Sequence, residues 1–209
     1  MRRKAYLLVL NGMADWETAH ALCEIRESGR YEVVTAGFSD ATVTTMAGLR
    51  VIPDVMLDAV NPAEAAIFIL PGGDRWEEEP ADEMLTHLLR RLHAVGVPIA
   101  AIGGAILEVA RARLTHRVRH TSNGPRYLPT MLAGYSDEAF YVDLPAVSDQ
   151  GVITAGRLGS VEFARDILKE LGLYSAGALD AWYAMFKHGI YSPVPALEVA
   201  DRNALAHPA

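Results

Sequence analysis

An apolar run at residues 97–102 breaks at Gly103-Gly104 and resumes as Ile106, Leu107, Val109 and Ala110 at helical spacing. An apolar run without polar alternation is a strand buried on both faces, so the segment predicts a strand that turns sharply into a helix. Such a turn lifts one residue out of the sheet and aims it at a helix N-terminus, where free N–H groups and the helix dipole favour negative charge. In an enzyme that place suits a nucleophile whose anion must be stabilised. Here it is held by Gly103, which keeps the turn and supplies no nucleophile. Glycine takes a left-handed conformation freely, whereas any other residue there would carry about 1–3 kcal/mol of strain.

Other residues converge on the same edge. Gly72-Gly73 follow the apolar strand 65–70 and offer N–H donors to an oxyanion opposite the elbow, together with Gly104. Glu17 stands in the first turn of the helix after the first strand, either as a charge favoured by the helix dipole or as a site carboxylate. His120 opens a loop, H-T-S-N, as a pocket-lining residue or as a plain loop histidine. Trp76 and Tyr127 read as cover for the core, and Glu77-Glu78-Glu79 as a solvated approach to a helix. Cys23, in step with Trp16 and Ala19, reads as a buried hydrophobe on a core-facing stripe that resists thiol reagents. There is no P-loop, no G-x-G-x-x-G after the first strand and no metal-ligand spacing among the 7 histidines. No cofactor and no metal are therefore expected.

These residues need a scaffold of alternating strands and helices. Strands are expected at 6–10, 31–37, 65–70, 97–102, 141–147 and 152–155, with a hairpin over 42–45 and 49–52. Helices are expected from an Asp15 cap to 28, over 55–60, from Pro80 to 95, after the elbow, over 160–171 and over 176–188. The alternation implies an α/β three-layer sandwich with a mostly parallel central sheet, whose ligands bind beyond the carboxyl ends of the strands. At 209 residues, 51% of them hydrophobic and 22% charged, the chain suits one soluble domain with a sizeable core. A domain over 1–189 and an extension over 190–209, packed on it or on a dimer partner, is the expected organisation. The net charge of −7 disfavours nucleic acid and anionic membrane as partners. One cysteine and no apolar run near ~18 residues point to a reducing, cytoplasmic setting.

In N-G-M-A-D-W-E-T (11–18), L-P-G-G (70–73), P-I-A-A-I-G-G-A (98–105), H-T-S-N (120–123) and I-T-A-G-R-L-G-S-V-E-F-A (153–164), the chain resembles the DJ-1/PfpI family of the class I glutamine amidotransferase-like superfamily. The likeness spans about residues 4–172 and is nearest to bacterial members described as intracellular proteases or amidases. It implies a flavodoxin-like fold, frequent homodimers and a small-molecule substrate. It also implies a cysteine at position 103 whose thiolate is hydrogen-bonded by Glu17. A histidine of the family falls by loop position on Asn123, with His120 three residues earlier. Two origins of Gly103 stand open: a relative without the nucleophile, or a chain in which glycine replaces cysteine. Two functions stand open as well. One is a cysteine hydrolase/amidase-like protein for a small carbonyl, amide or nitrile-like compound, inactive as written. The other is a non-catalytic small-molecule-binding or regulatory module using the same pocket.

Overall fold

The structure, a computed structural model, describes residues 2–78 and 81–191. Its frame is a sheet of β1 (Arg3–Leu8), β2 (Tyr31–Gly37), β5 (Val55–Met56), β6 (Ala65–Leu70), β7 (Ile99–Ile102), β8 (Ala146–Asp149) and β9 (Val152–Ala155). The order is β5-β2-β1-β6-β7-β9-β8, parallel throughout except for β8 against β9. β3 (Val43–Thr44) and β4 (Arg50–Val51) form the separate antiparallel hairpin. The expected α/β architecture with a mostly parallel sheet is present. Its centre is apolar because β6, β7 and β9 are buried at every position. Each large side chain removed from water there contributes about 1.5–3 kcal/mol.

Helices cover both faces: α1 (Asp15–Glu27), α2 (Arg75–Glu78), α3 (Glu83–Ala94), α4 (Ile106–Arg111), α5 (Tyr127–Met131), α6 (Ser160–Glu170) and α7 (Ala176–His188). Asp82 caps α3 by accepting from the Leu85 N–H at 2.9 Å, and Gly189 ends α7 in a left-handed conformation at φ +66°. Pro80, expected at the start of α3, and most of the extension over 190–209 lie outside the described residues.

Several sequence expectations are corrected. Residues 55–60 are the edge strand β5 followed by a 3₁₀ turn, because Val55 and Met56 pair with Ala36 and Gly37. The strand expected at 141–147 is instead β8 at Ala146–Asp149, with Tyr141 in a lone bridge to His120. Asp15 is the first residue of α1, its Oδ2 accepting from the Ala47 N–H at 2.8 Å, and Ala14 occupies the cap. The largest correction concerns the face of α1. Its buried residues are Glu17, Thr18, Ala21 and Ile25, whereas Trp16 is 53% exposed and Cys23 is exposed. Glu24 accepts from Trp182 Nε1 at 2.9 Å and from the Tyr174 hydroxyl, and the His20 ring meets Phe186 edge-on at 4.9 Å. These polar and aromatic contacts with α7 and its approach fix the rotation that turns Cys23 outward.

Cys23 should therefore react with a thiol reagent in the native protein about as fast as after unfolding. Cys23→Ser should change stability by no more than about 0.5 kcal/mol. A protected native thiol in a labelling time course would contradict this placement.

Candidate functional site

Three loops at the carboxyl edge of the sheet build the site. After β1, Met13 bridges Gly73, and the Ala14 N–H donates to the Gly72 carbonyl at 3.0 Å. These contacts start α1 beneath the loop that follows β6. The first turn of α1 then delivers Glu17, 3% exposed, into a slot between Gly72 and Gly103. Its Oε2 accepts from the Gly72 N–H at 2.5 Å. Its Oε1 lies 2.8 Å from the place a Cβ on residue 103 would take, and Oε2 lies 2.5 Å from the corresponding place on residue 72. Both positions need glycine for this close approach. Gly103 adds a second reason, its φ of +66° at the first residue of the 3₁₀ turn after β7.

Burial pushes the Glu17 carboxyl up to about 7, against the Gly72 N–H and the positive charge of Arg157, which hold it down. At neutral pH it is present in comparable amounts as acid and as carboxylate. It can therefore hold or release a proton under ordinary conditions.

The remaining expected residues divide. Gly72 was expected to turn its N–H toward an oxyanion, but that N–H is committed to Glu17. Gly104 packs under Trp76, whose Cβ would be 3.1 Å from an added methyl, and Trp76 Nε1 donates to the Pro71 carbonyl at 2.9 Å. The Trp76 ring is thus buried cover, as the sequence suggests. Gly73 stands opposite Met13 in the bridge, at φ +159° beside the Gly12 carbonyl. His120 is fully buried. Its Nδ1 donates to the Val118 carbonyl at 2.7 Å, which only accepts, and its Nε2 is hydrogen-bonded with the Tyr135 hydroxyl at 2.5 Å. With both nitrogens engaged, His120 braces its loop and does not line a pocket. Asn123 is exposed, and its Oδ1 accepts from the Arg157 N–H at 3.0 Å. Tyr127 donates to Glu77 at 2.7 Å and joins α5 to α2.

Arg157 is the residue that sequence reasoning missed. It follows β9, whose Ala155 stands opposite Ile102 in parallel register, so its loop adjoins the elbow. The available signal was a cation just past the carboxyl end of an apolar strand. A cleft of about 410 Å³ runs beside it, lined by Ser122, Asn123, Asp143, Pro145, Gly156 and Arg157 among others, and Glu17, Gly72 and Gly103 are not part of its lining. A roomier cleft of about 810 Å³ at α3, bordered by Leu57, His87 and Arg90, includes none of the residues around Glu17. Among the described residues, no group of three or more His, Cys, Asp or Glu is placed to hold a metal ion.

A doubly wound sheet with a polar slot at its carboxyl edge, beside the crossover between β1 and β6, defines a flavodoxin-like α/β protein. The DJ-1/PfpI family model matches residues 3–170, and the chain belongs to that family. It is 36% identical over 193 residues to the uncharacterized protease YoaZ of Bacillus subtilis, covering 88% of this chain and 91% of that one. The solved thiJ/pfpI family protein from Bacillus anthracis superimposes with a TM-score of 0.83 at 34% identity, covering 91% of this chain and 92% of the other. The deglycase PH1704 of Pyrococcus horikoshii is 32% identical over 99 residues, which cover 47% of this chain and 59% of that protein.

The carboxyl of Glu17 is raised in the folded state from an ordinary 4.5 to about 7. The folded protein thus binds the extra proton, and the stability this contributes is fully present below about pH 4.5 and is lost as pH rises through about 7. Against a Glu17→Gln reference, urea titrations should show a relative loss of about 2–3 kcal/mol across that window. A flat difference between the two proteins from acid to neutral pH would refute the assignment.

Proposed function

We propose that this chain is a cytoplasmic, homodimeric protein of the cysteine hydrolase/amidase-like type. Its pocket takes a small carbonyl, amide or nitrile-like compound, and its covalent step is absent because position 103 is glycine. The supporting observation is the slot itself: Glu17 Oε1 reaches to 2.8 Å from where a side chain on residue 103 would begin, on a backbone held at φ +66°. The printed names of the relatives, a protease and a deglycase, fit chemistry at a carbonyl or amide carbon. Among the described residues no helix is long and apolar enough to cross a membrane, which fits a soluble setting.

The parent chemistry follows from the geometry. With a thiol at 103, Glu17 as carboxylate takes the thiol proton, and the sulfur forms a bond to the electrophilic carbon. The carbonyl π pair moves to oxygen, where backbone N–H groups meet it, and the protonated Glu17 returns its proton to the leaving group or oxygen. With glycine the first bond has no donor atom. What remains is a shielded carboxyl able to exchange hydrogen bonds with a bound polar group. That observation supports the second reading, a non-catalytic binding or regulatory module.

Gly103→Cys in a Cys23→Ser background separates the two. Thiol-dependent turnover of a simple dicarbonyl, amide or nitrile should appear in the variant and be absent from the Cys23→Ser parent. The variant should be less stable by about 1–3 kcal/mol, since it adds left-handed strain and Glu17 must yield. Turnover by the parent overturns the missing-nucleophile reading. Ligand binding without turnover in the variant favours the binding module.

A further inference from the structure

We propose that residues 192–209 of this chain dock on an exposed aromatic strip formed by Trp16, His20 and Phe186, at the carboxyl edge of the sheet.

The strip follows from how α7 lies on α1 and α6. Trp182 Nε1 donates to Glu24 Oε1 at 2.9 Å, and one turn later the Phe186 ring meets the His20 ring edge-on at 4.9 Å. Forward along α7 is therefore backward along α1, and the two helices run antiparallel. α7 crosses α6 in the same sense: Arg165 pairs with Asp180 at 2.8 Å, whereas Lys187 reaches Glu162 at 2.9 Å. Both sets of contacts carry the end of α7 toward the starts of α1 and α6, which follow β1 and β9 at the carboxyl edge. Trp16 precedes His20 by one helical turn, about 6 Å along α1, and helical side chains lean toward the N-terminus. From buried Trp182 the strip thus passes through Phe186 and His20 to Trp16, and both Phe186 and Trp16 are exposed.

The occupant is fixed by where the chain leaves α7. At Gly189 the chain turns off the helix: the Gly189 N–H donates to the Met185 carbonyl at 3.0 Å and the Ile190 N–H to the Ala184 carbonyl at 3.2 Å. Ile190 and Tyr191 follow, both exposed, and Tyr191 is the last described residue. Residues 192–209 therefore start beside the strip, and extended they reach up to about 60 Å, far more than the about 6 Å from His20 to Trp16. Their first part, P-V-P-A-L-E-V, carries Val194, Leu197 and Val199. A segment this short has no core of its own in which to bury them, so they need an outside apolar surface, and the strip is the one at their root. Pro193 and Pro195 lower the conformational entropy that docking removes.

Tryptophan emission of the whole chain reads this contact, because Trp76 and Trp182 are buried and Trp16 is exposed among the 3 tryptophans. Acrylamide quenching should rise about twofold when Val194→Asp and Leu197→Asp are introduced together, as Trp16 loses its cover. In a Trp16→Phe background the same pair should leave quenching unchanged. A nitroxide on Cys23, an exposed thiol about 10 Å from Trp16 along α1, gives a second readout. It should broaden the NMR signals of residues 194–199 of its own chain, and the broadening should fall with Val194→Asp and Leu197→Asp. Quenching indifferent to the pair, or broadening that the pair leaves intact, would overturn the proposal. So would broadening seen only in a mixture where the nitroxide sits on another molecule, which would assign the strip to the segment of a second copy. Neither readout depends on Glu17 or on glycine at 103, so the outcome is independent of the Gly103→Cys assay.

Discussion

The carboxyl of Glu17 lies in a slot that exists only because two residues have no side chains. Gly72 gives it an N–H at 2.5 Å, and Gly103 lets its other oxygen approach to 2.8 Å from a missing Cβ. A buried acid with one backbone donor is costly as an anion, so the surroundings must be shaped around it. The Met13–Gly73 bridge sets where α1 begins, and the Trp76 ring over Gly104 closes the elbow from above. The hairpin is tied to the same loop by the Gly12 N–H to the Thr44 carbonyl and the Met46 N–H to the Met13 carbonyl. Apart from the Trp76 ring these contacts run through the backbone, so the slot tolerates little change at 72 and 103.

That geometry bears on what the slot holds with glycine at position 103. The left-handed elbow and the raised carboxyl stand against each other at position 103, where glycine presents no side chain. Burial raises the Glu17 carboxyl toward neutrality, while the Gly72 N–H and the positive charge of Arg157 oppose that rise.

The sheet interior was legible in the sequence because strands buried on both faces leave uninterrupted apolar runs. Residues 65–70 and 152–155 coincide with the fully buried β6 and β9, and the more mixed run 31–37 coincides with β2. The edges were not legible. Val55 and Met56 become strand only through two pairs with β2, and the spacing of Trp16, Ala19 and Cys23 is as helical as that of Glu17, Ala21 and Ile25. Local periodicity does not say which stripe faces inward when a glutamate belongs to the buried one. At the site, Glu17 and Gly103 could be paired from the loops that carry them. The commitment of the Gly72 N–H, the engagement of both His120 nitrogens and the part of Arg157 depend on contacts between distant segments, which residue spacing does not encode.

The left-handed glycine at 103 also shapes how this lineage can change. Any replacement adds a Cβ against Glu17 Oε1 and brings torsional strain with it. Drift under selection for folding alone therefore holds the glycine where it is. A cysteine at this turn would carry the same strain, so only a benefit from its reactivity would keep it in the population. The turn thus acts as a barrier, favouring glycine wherever no side chain is needed at this position.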